Sequence, residues 1–205
     1  MRSALILAGG ASRRFGSPKA LASFRGRAMI EWVAEAVRPV ADELLVSVAD
    51  AAQSEAIHER LPDARFVTDA RRDRGPIEGL DRGLRAARGD LVLVAPCDAP
   101  LLRTDLYVRF LERIGSHEAA VPRPEAIDPV RAAYRRTAAV RVLDREGLGV
   151  PSPSALVDRL DAVFLAEGEL RSVDPELVSF LDVNSLEELA RVEARTGIAP
   201  ARDLR

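Results

Sequence analysis

Short, wholly apolar runs alternate along this chain with longer segments whose apolar residues recur every three or four positions. Residues 4–8 form the first run and end at Gly9-Gly10, which predicts a buried strand stopped by a turn. Residues 28–41 place Met29, Ile30, Val33, Ala34 and Val37 on one helical face. The pattern then predicts a strand at 44–48, a helix at 51–61, a strand at 65–68 and, after the Gly75-Pro76 turn, a helix at 77–87. Residues 91–95 are the most apolar run and read as a central strand. Thr104 reads as the cap of a helix to about residue 114, followed by strands at 119–121 and 130–134. Residues 137–160 read as mostly helical, broken at Pro151 and Pro153, with short strands expected at 163–165 and 180–183. Ser185 and Glu188 have capping-box spacing and open a last helix to about 195. This alternation predicts an α/β fold around a mainly parallel sheet. No repeat or low-complexity linker divides it, so one domain is expected over 1–196, with a loose tail at 197–205.

Composition narrows the class. The 205 residues are 47 % hydrophobic and 30 % charged, with a net charge of −2, which argues against bulk nucleic-acid binding and against disorder. One cysteine, Cys97, and two distant histidines, His58 and His117, make neither an intrachain disulfide nor a zinc site, so a reducing, cytoplasmic compartment is expected. No apolar run reaches membrane-spanning length, and no membrane association is expected. Of the 30 basic residues all but Lys19 are arginine, and Asn184 is the only asparagine. A bias this strong directs attention to the residues that arginine and alanine cannot replace.

The densest chemistry lies in Leu7-Ala8-Gly9-Gly10-Ala11-Ser12-Arg13-Arg14-Phe15-Gly16-Ser17-Pro18-Lys19. Two glycines allow close backbone approach to a ligand, Ser12 adds a hydroxyl, Arg13 a fixed charge and Lys19 a mobile ammonium, which together are phosphate-binding parts. The spacing matches neither a P-loop nor the dinucleotide fingerprint. Asp98 follows the central run by three residues and is expected at the C-terminal edge of the sheet, where open α/β sheets bind ligands. The glycine loop, Asp69 and Asn184 also follow predicted strands, so four candidates share that edge.

The loop resembles the signature of the nucleotidyltransferases and is most similar to that of the molybdenum cofactor guanylyltransferases. The likeness continues in Phe24-Arg25-Gly26, in Asp69 with Gly75-Pro76-Ile77-Glu78-Gly79, in Cys97-Asp98-Ala99-Pro100, and in Asp182-Val183-Asn184-Ser185-Leu186-Glu187-Glu188. It implies a Rossmann-like three-layer sandwich of the nucleotide-diphospho-sugar-transferase type. It also implies transfer of GMP from GTP to molybdopterin, giving molybdopterin guanine dinucleotide and pyrophosphate. Leu7, Ala8, Gly9, Gly10, Ser12, Lys19, Asp69, Gly75, Pro76, Gly79 and Asp98 would bind the nucleotide, and Lys19, Arg13 and Asp98 would act in catalysis. Mg²⁺ would sit on Asp98 with Asp182 or Asn184, the choice between those two being open. A protein that receives the product, a molybdoenzyme or another member of the cofactor pathway, is a possible partner.

The chain departs from the family where a His-Pro is usual near Asp128-Pro129, which leaves the acceptor open. Arg123 or Arg131 are candidates for an acceptor phosphate. The alternatives are a transferase using CTP or another phosphorylated acceptor, and a non-catalytic nucleotide-binding module that carries cofactor to apo-enzymes without turnover.

Overall fold

The computed structural model describes residues 1–9, 18–71 and 74–195. The sequence order is β1 (Arg2–Leu7), β2 (Ser23–Phe24), β3 (Arg27–Ala28), α1 (Met29–Val37), β4 (Glu43–Val48), α2 (Ala51–His58), β5 (Arg65–Thr68), α3 (Pro76–Ala86), β6 (Leu91–Pro96) and α4 (Thr104–Ile114). It continues with β7 (Ala119–Arg123), β8 (Ala132–Arg135), α5 (Arg136–Glu146), α6 (Pro153–Val157), β9 (Ala162–Ala166), α7 (Glu167–Arg171) and α8 (Leu186–Arg195).

Seven strands form one sheet in the order β5-β4-β1-β6-β8-β7-β9, and only β8 runs against the others. Alternation along β1 sets up the layers. Ala4 and Ile6 face a core built with α1 and α4, while Leu5 and Leu7 face a core built with α3 and α5. Burial on both faces explains why the central strands read as unbroken apolar runs.

One close approach is decided by a missing side chain. A Cβ on Gly83 of α3 would lie 2.2 Å from Leu5 Cδ2, so only glycine lets α3 lie this near β1.

Several expectations need correction. Residues 180–183 are not a strand: Val178–Phe180 is a 3-10 turn and the chain then runs extended, tied by Val183 N–H to Asp98 O at 2.9 Å. Thr104 does not cap α4; Arg103 holds that position and the Thr104 hydroxyl donates to Ala36 O at 2.9 Å. The segment 137–160 is mostly helical and broken before residue 153, as expected, but the break begins at a 3-10 turn at Gly147–Gly149 and Pro153 opens α6. Two short elements had no sequence signal, the hairpin β2–β3 and α7. The hairpin turns through Arg25 and Gly26, both at positive φ, and two residues per strand are too few to show alternation. Its Phe24 packs with Met29, Val183 and Leu189, which seats α8 beside the sheet's C-terminal edge. The tail at 197–205 lies outside the described residues.

Candidate active site

The C-terminal ends of β5, β4, β1 and β6 lie side by side, because these strands are parallel neighbours. Asp69 follows β5, Gly9 follows β1, and Asp98 follows β6. Three strand spacings separate β5 from β6, or about 14 Å along the edge, so Asp69 and Asp98 flank the glycine segment from opposite sides.

On the β6 side three predicted residues meet. Lys19 Nζ donates to Asp98 Oδ2 at 2.5 Å and to Asn184 Oδ1 at 2.8 Å. The side chains of Lys19 and Asp98 are 17 % and 19 % exposed, so both are largely shielded from solvent. The backbone positions Asn184 from two directions: Val183 N–H is bonded to Asp98 O, and Asn184 N–H donates to Glu188 Oε2 at 2.6 Å. Ser185 Oγ accepts from Glu188 N–H at 3.1 Å, so the expected cap forms, and its glutamate reaches back to Asn184. The neighbouring thiol takes no part. Burial, reinforced by the Asp98 charge, pushes Cys97 up to about 12, so it stays protonated.

Asp182 lies in the same segment with a different partner. Its carboxylate pairs with Arg131, whose other terminal nitrogen pairs with Asp128. The Arg131 side chain is 3 % exposed, so it is not a free binder of an acceptor phosphate. Desolvation works against its charge, but Asp128 and Asp182 outweigh it and its pKa is raised. The Asp182 carboxyl is also raised, first by burial, with Arg131 opposing. Arg123 instead lies over the Phe164 ring, 5.2 Å from its centroid.

On the β5 side, Asp69 faces two glycines. A Cβ on Gly9 would lie 2.6 Å from Asp69 Oδ2, and one on Gly79 would lie 2.3 Å from Ser47 Oγ. Ser47, fully buried in β4, donates from its hydroxyl to Asp69 Oδ1 at 3.1 Å. Burial raises the Asp69 carboxyl, Ser47 opposes the shift, and Glu78 adds to it. Gly75 has φ +65° and Pro76 opens α3, so this turn needs glycine and starts the helix directly over Ser47 and Asp69. Leu7 and Ala8 are held by backbone: Cys97 N–H donates to Leu7 O at 3.2 Å and Ala8 N–H to Ser47 O at 2.9 Å.

Three supporting side chains escaped the sequence reading. Gln53 Nε2 donates to Ala8 O at 2.8 Å from a buried position in α2. Glu78 accepts from Ala70 N–H at 3.1 Å and meets Arg74 at 3.3 Å. Ser47 carried a usable signal, one polar residue inside an apolar strand. Gln53 and Glu78 sit in helices where polar residues are ordinary. Gly10, Ser12 and Arg13 lie outside the described residues. Both histidines belong to the opposite edge of the sheet, His58 ending α2 and His117 preceding β7.

A mainly parallel sheet with a glycine segment, a lysine and a carboxylate at its C-terminal edge defines a nucleotide-handling α/β enzyme. Residues 4–163 match the family model for the MobA-like NTP transferase domain, and the chain belongs to that family of nucleotidyltransferases. It is 34 % identical over 200 residues to a probable molybdenum cofactor guanylyltransferase of Methanosarcina acetivorans, covering 92 % of this chain and 88 % of that one. It is also 34 % identical to the molybdenum cofactor guanylyltransferase of Desulfosudis oleivorans, covering 93 % of each. Among solved structures, it is similar to molybdopterin-guanine dinucleotide biosynthesis protein A from Archaeoglobus fulgidus. That similarity has a TM-score of 0.79 and 28 % identity over 95 % of this chain and 98 % of that one. The 4-diphosphocytidyl-2C-methyl-D-erythritol synthase of Anaerococcus prevotii shares the fold, with a TM-score of 0.73 at 16 % identity over 95 % of each chain.

Proposed function

We propose that this protein transfers GMP from GTP to the phosphate of molybdopterin, with release of pyrophosphate, in a reducing cytoplasmic setting. The observation that carries the reading is the convergence of Asp98 Oδ2 and Asn184 Oδ1 on Lys19 Nζ, at the sheet edge where the glycine segment begins. The activity named for the relatives supports guanine as the base and molybdopterin as the acceptor.

The donor set fits Mg²⁺. A carboxylate and a neutral amide are hard oxygen donors, they already converge on one cationic atom, and magnesium takes few ligands from protein. Asp98 and Asn184 would hold the ion, which supplies Lewis-acid polarisation of the α-phosphoryl group. Lys19 and Arg13 offset charge on the triphosphate and on the leaving pyrophosphate. Asp69 accepts hydrogen bonds from the nucleoside, and the bare backbone of Gly9 and Gly79 leaves room beside it. Leu7, Ala8, Gly10, Ser12, Gly75 and Pro76 complete the nucleotide cradle. The acceptor phosphate is already anionic, so the reaction needs no general base. Both histidines lie at the opposite sheet edge, in keeping with that chemistry. Catalysis is therefore positioning and charge stabilisation.

The test combines ligand-induced melting shifts for GTP, CTP, ATP and UTP with Mg²⁺ and product analysis with molybdopterin. The expected result is a shift with GTP alone and formation of the guanine dinucleotide. A shift with CTP alone overturns the base. Pyrophosphate release that depends on a different phosphorylated acceptor overturns molybdopterin.

A further inference from the structure

We infer that Arg131 is a positioning residue that withholds the Asp182 carboxylate from the cation position and leaves Asp98 and Asn184 as its protein ligands. The inference rests on the cation reading above and assigns the roles within it.

The guanidinium is spent on two carboxylates, one terminal nitrogen on Asp128 and the other on Asp182. Its Nε is buried with no partner among the described residues, and the side chain is only 3 % exposed, so the guanidinium is shut away from a substrate by burial. The base of this clamp is rigid. Asp128 N–H donates to Pro122 O at 3.0 Å, Asp128 Oδ1 accepts from Val130 N–H at 3.2 Å, and the Tyr134 hydroxyl donates to Pro129 O at 2.6 Å. The Phe180 ring lies 5.7 Å from the guanidinium carbon. Asp182 is thus held by a fixed, buried cation.

For Asp182 to turn to a metal, it would give up its bond to Arg131 and leave that buried guanidinium with Asp128 as its only carboxylate among the described residues, which is unfavourable. Asn184 faces no such penalty. It would exchange a neutral amide contact to the Lys19 ammonium for the metal, while its backbone stays fixed by Glu188. Lys19, being partly exposed, can be hydrated in turn. One carboxylate and one amide give a weaker, more exchangeable site than two carboxylates, which suits an ion that enters and leaves with a triphosphate.

The test is titration of the whole protein with Mn²⁺ alone, the free ion being read by electron paramagnetic resonance. Circular dichroism establishes the fold of each variant. Asp182→Asn should leave Mn²⁺ affinity within about twofold of the parent, while Asn184→Ala should weaken it at least about tenfold. Arg131→Met releases the Asp182 carboxylate and should tighten Mn²⁺ binding at least about fivefold, a gain that vanishes when Asp182→Asn is added. Arg131→Lys, whose single ammonium cannot hold both carboxylates as the fork does, should move the same way and serves if the apolar variant does not fold. A loss of about tenfold or more in Asp182→Asn overturns the inference, as does a gain in Arg131→Met that survives Asp182→Asn. Parent Mn²⁺ binding that is unchanged in Asp98→Asn overturns the cation site itself, and this inference with it.

Discussion

Gly79→Ala tests the packing that links helix α3 to Asp69. The new methyl carbon would lie 2.3 Å from Ser47 Oγ, 3.2 Å from Ser47 Cβ and 3.5 Å from Asp69 Oδ1. Ser47 is fully buried in β4, so its hydroxyl must rotate away and abandon Asp69. Losing a hydrogen bond to a carboxylate costs about 1.5–3 kcal/mol. Alanine recovers about 1 kcal/mol of helix propensity over glycine. The net loss of about 0.5–2 kcal/mol lowers Tm by about 1–8 °C in a chain of this size. A double-mutant cycle isolates the cause. Once Ser47→Ala has removed the oxygen, adding Gly79→Ala should cost little more, a coupling of about 1 kcal/mol or greater. Urea and thermal melts of the four proteins, followed by circular dichroism, supply the numbers. Strictly additive effects, or a Gly79→Ala protein as stable as the parent, would refute the reasoning and mean that α3 shifts freely over the sheet.

Other consequences concern the site directly. Lys19→Met and Asp98→Ala should each cut guanylyl transfer by at least about 100-fold with the fold intact by circular dichroism. Lys19→Arg should also fail, because a planar guanidinium does not replace a compact ammonium that meets two oxygens at once. Asp69 has a sign that melting can check. Its carboxyl is raised in the folded protein, so between the ordinary and the raised value the native state holds more protons than the unfolded chain. Its contribution to stability therefore falls as pH rises through that window. Asp69→Asn should be relatively more stable above it, and Tm profiles that run parallel for the two proteins from acid to neutral pH would contradict this. Cys97, pushed up to about 12 by burial, should resist alkylation at pH 8 in the native protein and react only on unfolding. Rapid labelling without loss of structure would show that the β6 end opens.

How far the sequence could be read varied from residue to residue. The β1, β4 and β6 runs were legible because burial on both faces leaves only apolar side chains. The hairpin β2–β3 was not, since its two-residue strands depend on a turn at Arg25-Gly26 and on packing against α8. Lys19 and Asn184 stood out as the only lysine and the only asparagine in an arginine-rich chain. Arg131 stood out only as a candidate for an acceptor phosphate, and its burial between Asp128 and Asp182 depends on the chain returning from α7. The strand expected at 180–183 failed for a related reason. Its apolar residues pack on the hairpin and around Arg131, without joining the sheet.

The sequence by itself determined the class of fold and the chemistry of the glycine segment, because periodicity and residue type are local properties of a chain. It also set the candidates along one sheet edge, since parallel strands deliver their following residues to the same side. Only the tertiary structure decided which of them meet. Lys19 reaches Asp98 from 79 residues away and Asn184 from 165, contacts that no spacing rule encodes. The same is true of Ser47 under Gly79 and of the buried guanidinium that holds Asp182. Partner choice among charged residues turns on burial and on which groups the fold brings within a few ångströms. Both are properties of the packed molecule, not of the order of its residues.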